Sequence, residues 1–405
     1  MNIALFSDCY LPSKNGVVTV VEQLRESLTQ KGHHVVVVTV ENEQKEEEAP
    51  YIYRAVSVPA GMGMKDQFFG FPWLPKVLKY LKKNNIELIH CHTEFIMGIT
   101  GYQAAHRLHI PCVVTMHTMW DDYYKYYLPG GAFIPVSLIH KILGMFYKKF
   151  HVIVGVSTKT YQYCKESLAP KSKAVVIPNA MNASKFSETP STELEKSETR
   201  AKLGIKDSDF VCLFVGRIGE EKRIFELIHA AGNAVLKNKN IKLLFIGDGP
   251  AMAECKEIVA KMNIQDNVIF TGFLAWECLH SYYSIADLSM TASLSETFSM
   301  TILESMILAL PIVARDDSSI HDRVLHGENG YLASTDDEIT EYILKIADDN
   351  ELKKRFSEKS HEIAKEYTPE LFTERYLALY EYVLTHRKKR INEKELQEKI
   401  GSIGK

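Results

Sequence analysis

Hydrophobic residues in the first half of the chain come in short unbroken runs, separated by longer amphipathic stretches. NIALFSD (2–8), VVVVTV (35–40), IELIHC (86–91), CVVTMHT (112–118) and VIVGVS (152–157) place apolar residues at consecutive rather than alternate positions. Such runs predict strands buried on both faces, as in a parallel sheet. GVVTVVEQLRESLTQKG (16–32) has the spacing of a helix with one packed face. The alternation predicts βαβ units and a doubly wound sheet. A second series begins after AVVIPNAMN (174–182) and the polar stretch 183–200. FVCLFVGR (210–217), KLLFIGDG (242–249), NVIFTGF (267–273), DLSMTAS (287–293) and PIVAR (311–315) read as further buried strands with helices between them. Two Rossmann-like α/β domains joined near residue 180 account for the whole pattern. From Glu351 onward the chain reads as helical and increasingly charged, and RKKRINEKELQEK (387–399) reads as an exposed tail.

Composition narrows the class. The 405 residues are 46% hydrophobic and 24% charged, an ordinary globular balance for two domains. Seven scattered cysteines with no C-x-x-C pair argue against a disulfide framework and structural zinc, and fit a reducing cytosol. The N-terminal run is too short and polar for a signal peptide, and no apolar run approaches the roughly 20 residues of a membrane span. The net charge of −3 is unevenly placed, since residues 60–178 carry 14 basic against 6 acidic side chains. A basic middle stretch predicts an anionic partner there: nucleic acid, a lipid surface or a phosphorylated substrate.

Candidate chemistry gathers at strand ends, where open α/β sheets bind ligands. DLSMTASLSETFSMTILESM (287–306) reads as strand, loop and helix, with Glu296 on the loop and Glu304 eight residues on in the helix. The N–H groups of Phe298, Ser299 and Met300 would open that helix, and a helix start suits an anion such as a diphosphate. The flanking carboxylates could accept hydrogen bonds from sugar hydroxyls; the alternative is a capping acid and a solvated glutamate. Arg217 and Lys222 straddle a turn in GRIGEEK (216–222), where two cations could neutralise a diphosphate leaving group or simply pair with Glu220 and Glu221. Gly16 in PSKNG (12–16) permits close backbone approach, or belongs to a plain turn. GDGP (247–250) is turn chemistry or a binding loop, and Phe273 with Leu274 could flank a planar base or be core. His117 closes a strand and leads into MWDDYYKYY (119–127), a run suited to substrate recognition. His90 and His92 lack an accompanying carboxylate pair at ligand spacing, so no metal site is expected.

Taken in order, Gly16, His117, Arg217 with Lys222, GDGP, TGF and the Glu-x7-Glu pair of Glu296 and Glu304 resemble the retaining glycosyltransferases of family 4. The resemblance covers about residues 1–380. It implies a GT-B architecture, α/β, with two Rossmann-like domains whose parallel sheets face each other across a cleft. Residues 1–178 would bind the acceptor and 179–365 the nucleotide-sugar, while 366–405 would form a C-terminal helix packed back on the first domain and a charged tail. By the same resemblance Arg217 and Lys222 hold the donor diphosphate, Glu296 meets the sugar hydroxyls, Glu304 the ribose, the 298–300 amides sugar and phosphate, and His117 lies beside the donor sugar. The donor would be a nucleoside diphosphate hexose, UDP-linked, with no metal and no cofactor. Three positions depart from the family pattern: Asn15-Gly16 for Gly-Gly, Asn179-Ala180 for Asn-Gly, and Ser299 where glycine is common. HTMWDDYYKYY (117–127) is similar to the corresponding loop of bacterial diacylglycerol glucosyltransferases. With the lysine- and aromatic-rich segments 68–83 and 140–150, it implies a lipid acceptor and a cytoplasmic enzyme held at the inner face of an anionic membrane, with no nucleic-acid partner. The alternatives are a soluble cell-wall or capsule acceptor, a nucleotide-sugar epimerase, and a non-catalytic binding protein.

Overall fold

The computed structural model describes residues 1–13, 15–41, 49–59, 68–121, 134–183, 191–386 and 391–404. They form two compact units, Met1–Ala180 with Pro369–Lys405, and Met181–Thr368.

The first unit holds β1 (Asn2–Phe6), β2 (His34–Val40), β3 (Ile52–Ala55), β4 (Ser57–Pro59), β5 (Phe68–Gly70), β6 (Leu88–Cys91), β7 (Cys112–Met116), β8 (Val152–Gly155) and β9 (Ala174–Val176). Seven of these make one parallel sheet in the order β3-β2-β1-β6-β7-β8-β9, while β4 and β5 pair antiparallel. The Val/Ile runs of β2, β6, β7 and β8 are buried because helices cover both faces. The helix Gly16–Gln30 starts where the Asn15 side chain accepts the Val18 N–H at 3.0 Å, and it buries Val18, Val21, Leu24 and Leu28. The long helix Pro369–His386 returns to this unit. Phe372, Tyr376, Leu379, Tyr380 and Val383 form its buried stripe, packed with Ile3, Leu5, Leu88 and Val113 of the sheet. His90, fully buried on β6, is satisfied at both ring nitrogens, by Tyr380 Oη at 2.7 Å and Thr115 Oγ1 at 2.7 Å. Burial holds its pKa well below the usual value, so it is a neutral structural histidine.

The expected exposed tail is corrected in part. Residues 387–390 lie outside the described residues, but Glu393–Gly401 is a helix capped by Asn392, and Ile391, Leu396 and Ile400 are buried in the same core. Leu396 and Ile400 stand four apart among charges, enough for one packed stripe that average composition hides.

The second unit holds β10 (Phe210–Val215), β11 (Ile241–Ile246), β12 (Val268–Phe270), β13 (Leu288–Thr291), β14 (Ile312–Arg315) and β15 (Gly330–Ala333). They form a six-stranded parallel sheet in the order β12-β11-β10-β13-β14-β15. In each unit the order reverses at one place, between β1 and β6 and between β10 and β13. The carboxyl ends of those strand pairs are the topological switch points where such sheets bind ligands.

Candidate functional site

In the second unit the predicted residues gather at the ends of β10, β12 and β13. Glu220–Lys222 is one 3-10 turn beyond β10, and Lys222 Nζ lies 2.7 Å from Glu296 Oε1 on the loop after β13. Ser295 Oγ donates to the Glu221 carbonyl at 2.9 Å, so the two loops are tied at a second point. Arg217 is largely exposed, its Nε 3.8 Å from Glu221 Oε1, a surface contact worth little in stability. The GDGP segment is explained by packing. A Cβ at Gly247 would sit 1.9 Å from the Gly216 carbonyl oxygen, and one at Gly249 would sit 2.2 Å from that of Ile218. The Ile218 N–H donates to the Asp248 carbonyl at 3.0 Å, so these glycines let one loop brace the backbone next to Arg217. Past β12, Phe273 is 79% exposed and Leu274 half-buried, leaving an aromatic face available beside the strand ends.

Ser299 precedes the helix Met300–Ile307 with φ 58 and ψ 86, and its side chain makes no capping hydrogen bond. This is the left-handed region that glycine enters at no steric cost, and here a serine adopts it. Phe298 is buried just before it. Glu304, one turn and more along, points inward and accepts a hydrogen bond from the Tyr283 hydroxyl at 2.6 Å.

Burial pushes the Glu304 carboxyl up from 4.5 to about 7. Between those values the folded chain keeps a proton that the unfolded chain has released, so folding stability falls as pH rises. The contribution is complete below about pH 4.5 and lost as pH climbs through about 7. Unfolding followed from about pH 5 to 7.5 should therefore show a shallower decline for Glu304→Gln than for the wild type. Parallel curves would mean that Glu304 titrates as an ordinary surface carboxyl.

In the first unit Gly16 opens the helix that follows β1 and its loop, and a Cβ there would meet nothing within 4 Å among the described residues. Packing within the unit gives no reason for glycine at that position. His117 follows β7 and its Nε2 lies 3.1 Å from Nδ1 of His92, at the end of β6, with the rings stacked at 5.4 Å. Desolvation pushes His117 down to about 4 and His92 well down, so both rings are neutral near pH 7 and one of the facing nitrogens carries the shared hydrogen. Of the aromatic run 117–127, residues 122–127 lie outside the described residues.

Several residues at these strand ends escape sequence reasoning. Asp8, at the β1 switch point, accepts from the Thr93 hydroxyl and from the Met97 N–H at 3.0 Å, and burial raises its pKa to about 6. Glu94 accepts from the Tyr147 hydroxyl and is raised to about 7 by burial. Both follow buried strands, and that position was a usable signal. Arg323 is wholly buried beneath Phe298, and nothing in its spacing announces it.

With the geometry in place, likeness to known proteins identifies the chain. Residues 14–185 match the model of the glycosyltransferase family 4 domain, and residues 195–363 match that of glycosyl transferases group 1. The chain is 32% identical to the alpha-monoglucosyldiacylglycerol synthase of Streptococcus pneumoniae, across 90% of this chain and 83% of that protein. It is 29% identical to the enzyme of the same name from Acholeplasma laidlawii, across 97% and 100% respectively. Sucrose-phosphate synthase from Thermosynechococcus elongatus superposes with a TM-score of 0.75 at 21% identity, covering 95% of this chain and 99% of that one. Anabaena HepE in complex with UDP also gives 0.75, at 16% identity and with 94% and 100% coverage. These two likenesses concern the fold, two Rossmann-like domains of the GT-B type. The two family models, one on each sheet, and the near full-length relatives establish that the chain belongs to the family 4 glycosyltransferases and is a nucleotide-sugar-dependent glycosyltransferase.

Proposed function

We propose that the protein transfers a hexose from a UDP-hexose, with retention of the anomeric configuration, to a hydroxyl of diacylglycerol. The observation that carries this reading is the pairing of Lys222 with Glu296 beside the start of the helix Met300–Ile307. A cation, a carboxylate and a helix start close together can take a diphosphate on one side and sugar hydroxyls on the other. Arg217 and Lys222 neutralise the departing diphosphate, and the amides of Phe298, Ser299 and Met300 receive sugar and phosphate oxygens. Glu296 takes the sugar hydroxyls, Glu304 the ribose, and exposed Phe273 with Leu274 flanks the base. The acceptor oxygen attacks the anomeric carbon from the side of the leaving group as the bond to the diphosphate breaks. The acceptor proton passes to the departing phosphate oxygen, so no covalent enzyme intermediate forms. His117, neutral at pH 7, lies beside the donor sugar, and Gly16 admits the donor to the backbone. Positive charge at the diphosphate comes from side chains and helix amides, so no metal or cofactor enters the reaction.

The lipid acceptor is supported by the names of the relatives and by the surface of the first unit. Exposed Phe71 and Trp73 precede the helix Leu74–Lys83, which carries exposed Lys76, Lys79, Lys82 and Lys83. The helix Val136–Tyr147 exposes Val136, Leu138, Ile142 and Met145 around Lys141. Apolar side chains ringed by lysines suit the headgroup layer of an anionic membrane, and no helix among the described residues is long and apolar enough to cross one. The enzyme then works as a peripheral protein at the cytoplasmic face. Incubation with a panel of UDP- and GDP-sugars, with and without diacylglycerol in anionic vesicles, tests this directly. An α-hexosyl diacylglycerol from a UDP-sugar is expected, with the protein sedimenting with the vesicles at low salt. Transfer only to water-soluble acceptors would replace the lipid reading, and an epimerised free nucleotide-sugar would replace the transferase chemistry.

A further inference from the structure

Arg323 is the largest fully buried side chain among the described residues of the protein. Its Nη2 donates to two carbonyl oxygens, those of Phe298 and of Ser319, the latter at 2.6 Å. Its guanidinium carbon sits over the Phe298 ring, 3.6 Å from the centroid. Nε and Nη1 have no hydrogen-bond partner among the described residues, and the carboxylate that pairs with it, Asp322, is 4.0 Å away. A guanidinium keeps its charge throughout the physiological range, so a whole positive charge sits in the interior with its donors half used. Such burial is costly unless the surroundings return something for it.

The carbonyl it grips belongs to the peptide joining Phe298 to Ser299. In a trans peptide the C=O and N–H point to opposite sides. Holding the oxygen down on Arg323 therefore turns the Ser299 N–H the other way. That amide has no acceptor among the described residues, although Ser299 is buried. The same peptide leads into the left-handed turn at Ser299, which a side chain adopts only under constraint. Arg323 supplies that constraint from below.

We propose that Arg323 is a positioning residue for the donor diphosphate: it fixes the Phe298–Ser299 peptide so that the Ser299 amide and the helix start face the anion. The inference rests on the donor-site reading above. Arg323 acts through the backbone and touches no substrate. Its charge also lies under the anion, where it strengthens the pull of the helix start.

The test compares UDP with uridine, because the amide acts on phosphate and not on the base. Wild type, Arg323→Gln and Arg323→Lys are titrated with each. UDP binding by Arg323→Gln is expected to weaken about 10-fold, from the lost charge and misdirected amide, with uridine binding unchanged. Arg323→Lys keeps the charge but not the planar fork, so UDP should weaken about 3-fold, again without effect on uridine. The donor KM should rise in both variants while the acceptor KM stays as in wild type. Equal losses for UDP and uridine, or unchanged UDP affinity in the lysine variant, would overturn the proposal. Should Arg323→Gln not fold, the lysine variant decides alone. A wild-type protein that binds no UDP would remove the donor-site reading itself, a different outcome from a wild type that binds UDP with variants that match it.

Discussion

Replacing Lys222 with alanine is expected to lower kcat by about 100- to 1000-fold while leaving the folded structure in place. The scale is that of removing one preorganised charge-stabilising donor from a site where negative charge develops. Two effects add. The ammonium no longer meets the departing diphosphate, and Glu296, 2.7 Å away in the parent, is left without its cation beside an incoming anion. The pair is only partly buried, so the thermal midpoint should move little. Lys222→Arg restores charge but spreads it over a planar group of different reach, and recovery should be partial. Rates of donor hydrolysis and of transfer both report the step. Wild-type turnover in Lys222→Ala would remove this side chain from the chemistry.

The largest effect on stability is expected far from that site. Phe372 is 1% exposed on the helix Pro369–His386 and packs edge to face on Tyr376 with centroids 4.9 Å apart. Phe372→Ala should cost about 3–5 kcal/mol, combining lost transfer energy with the cavity left behind. Leu236, 47% exposed in the second unit, serves as the control, and its alanine variant should stay within about 0.5 kcal/mol of wild type. Denaturant midpoints decide the matter. A Phe372→Ala variant no less stable than the Leu236 control would mean that the C-terminal helix lies on the first unit without being part of its core.

The parallel sheets were legible because their strands are unbroken Val, Ile and Leu runs, a pattern that burial on both faces alone requires. β3 and β15 were not, because each is four residues with mixed side chains, IYRA and GYLA, too short for an unbroken apolar run even where, as in β15, most of it is buried. Glu296, Lys222 and Arg217 stood out only through the order of motifs that resembles family 4, since each alone also reads as a capping acid or a charged turn. GDGP showed the limit of motif reading: its glycines answer to the carbonyls of Gly216 and Ile218, which only coordinates reveal. The burial of the C-terminal helix Glu393–Gly401 was hidden by lysines and glutamates surrounding one short apolar stripe. Arg323 was invisible because an arginine in a loop-like segment, DDSSIHDRVLHG, reads as surface. Its meaning lies in the carbonyls it meets.

The chain enters and leaves the second unit at neighbouring points, Met181 N–H donating to the Tyr367 carbonyl at 3.1 Å. That unit is thus an insertion in the sequence of the other. On the ribosome, the inserted sheet has all its strands before Phe372 and Leu379 have been made, whereas Ile3 and Leu5 must wait for them. The portion translated first is the last to close, and its unfinished face is a natural client for chaperones until the final turns emerge.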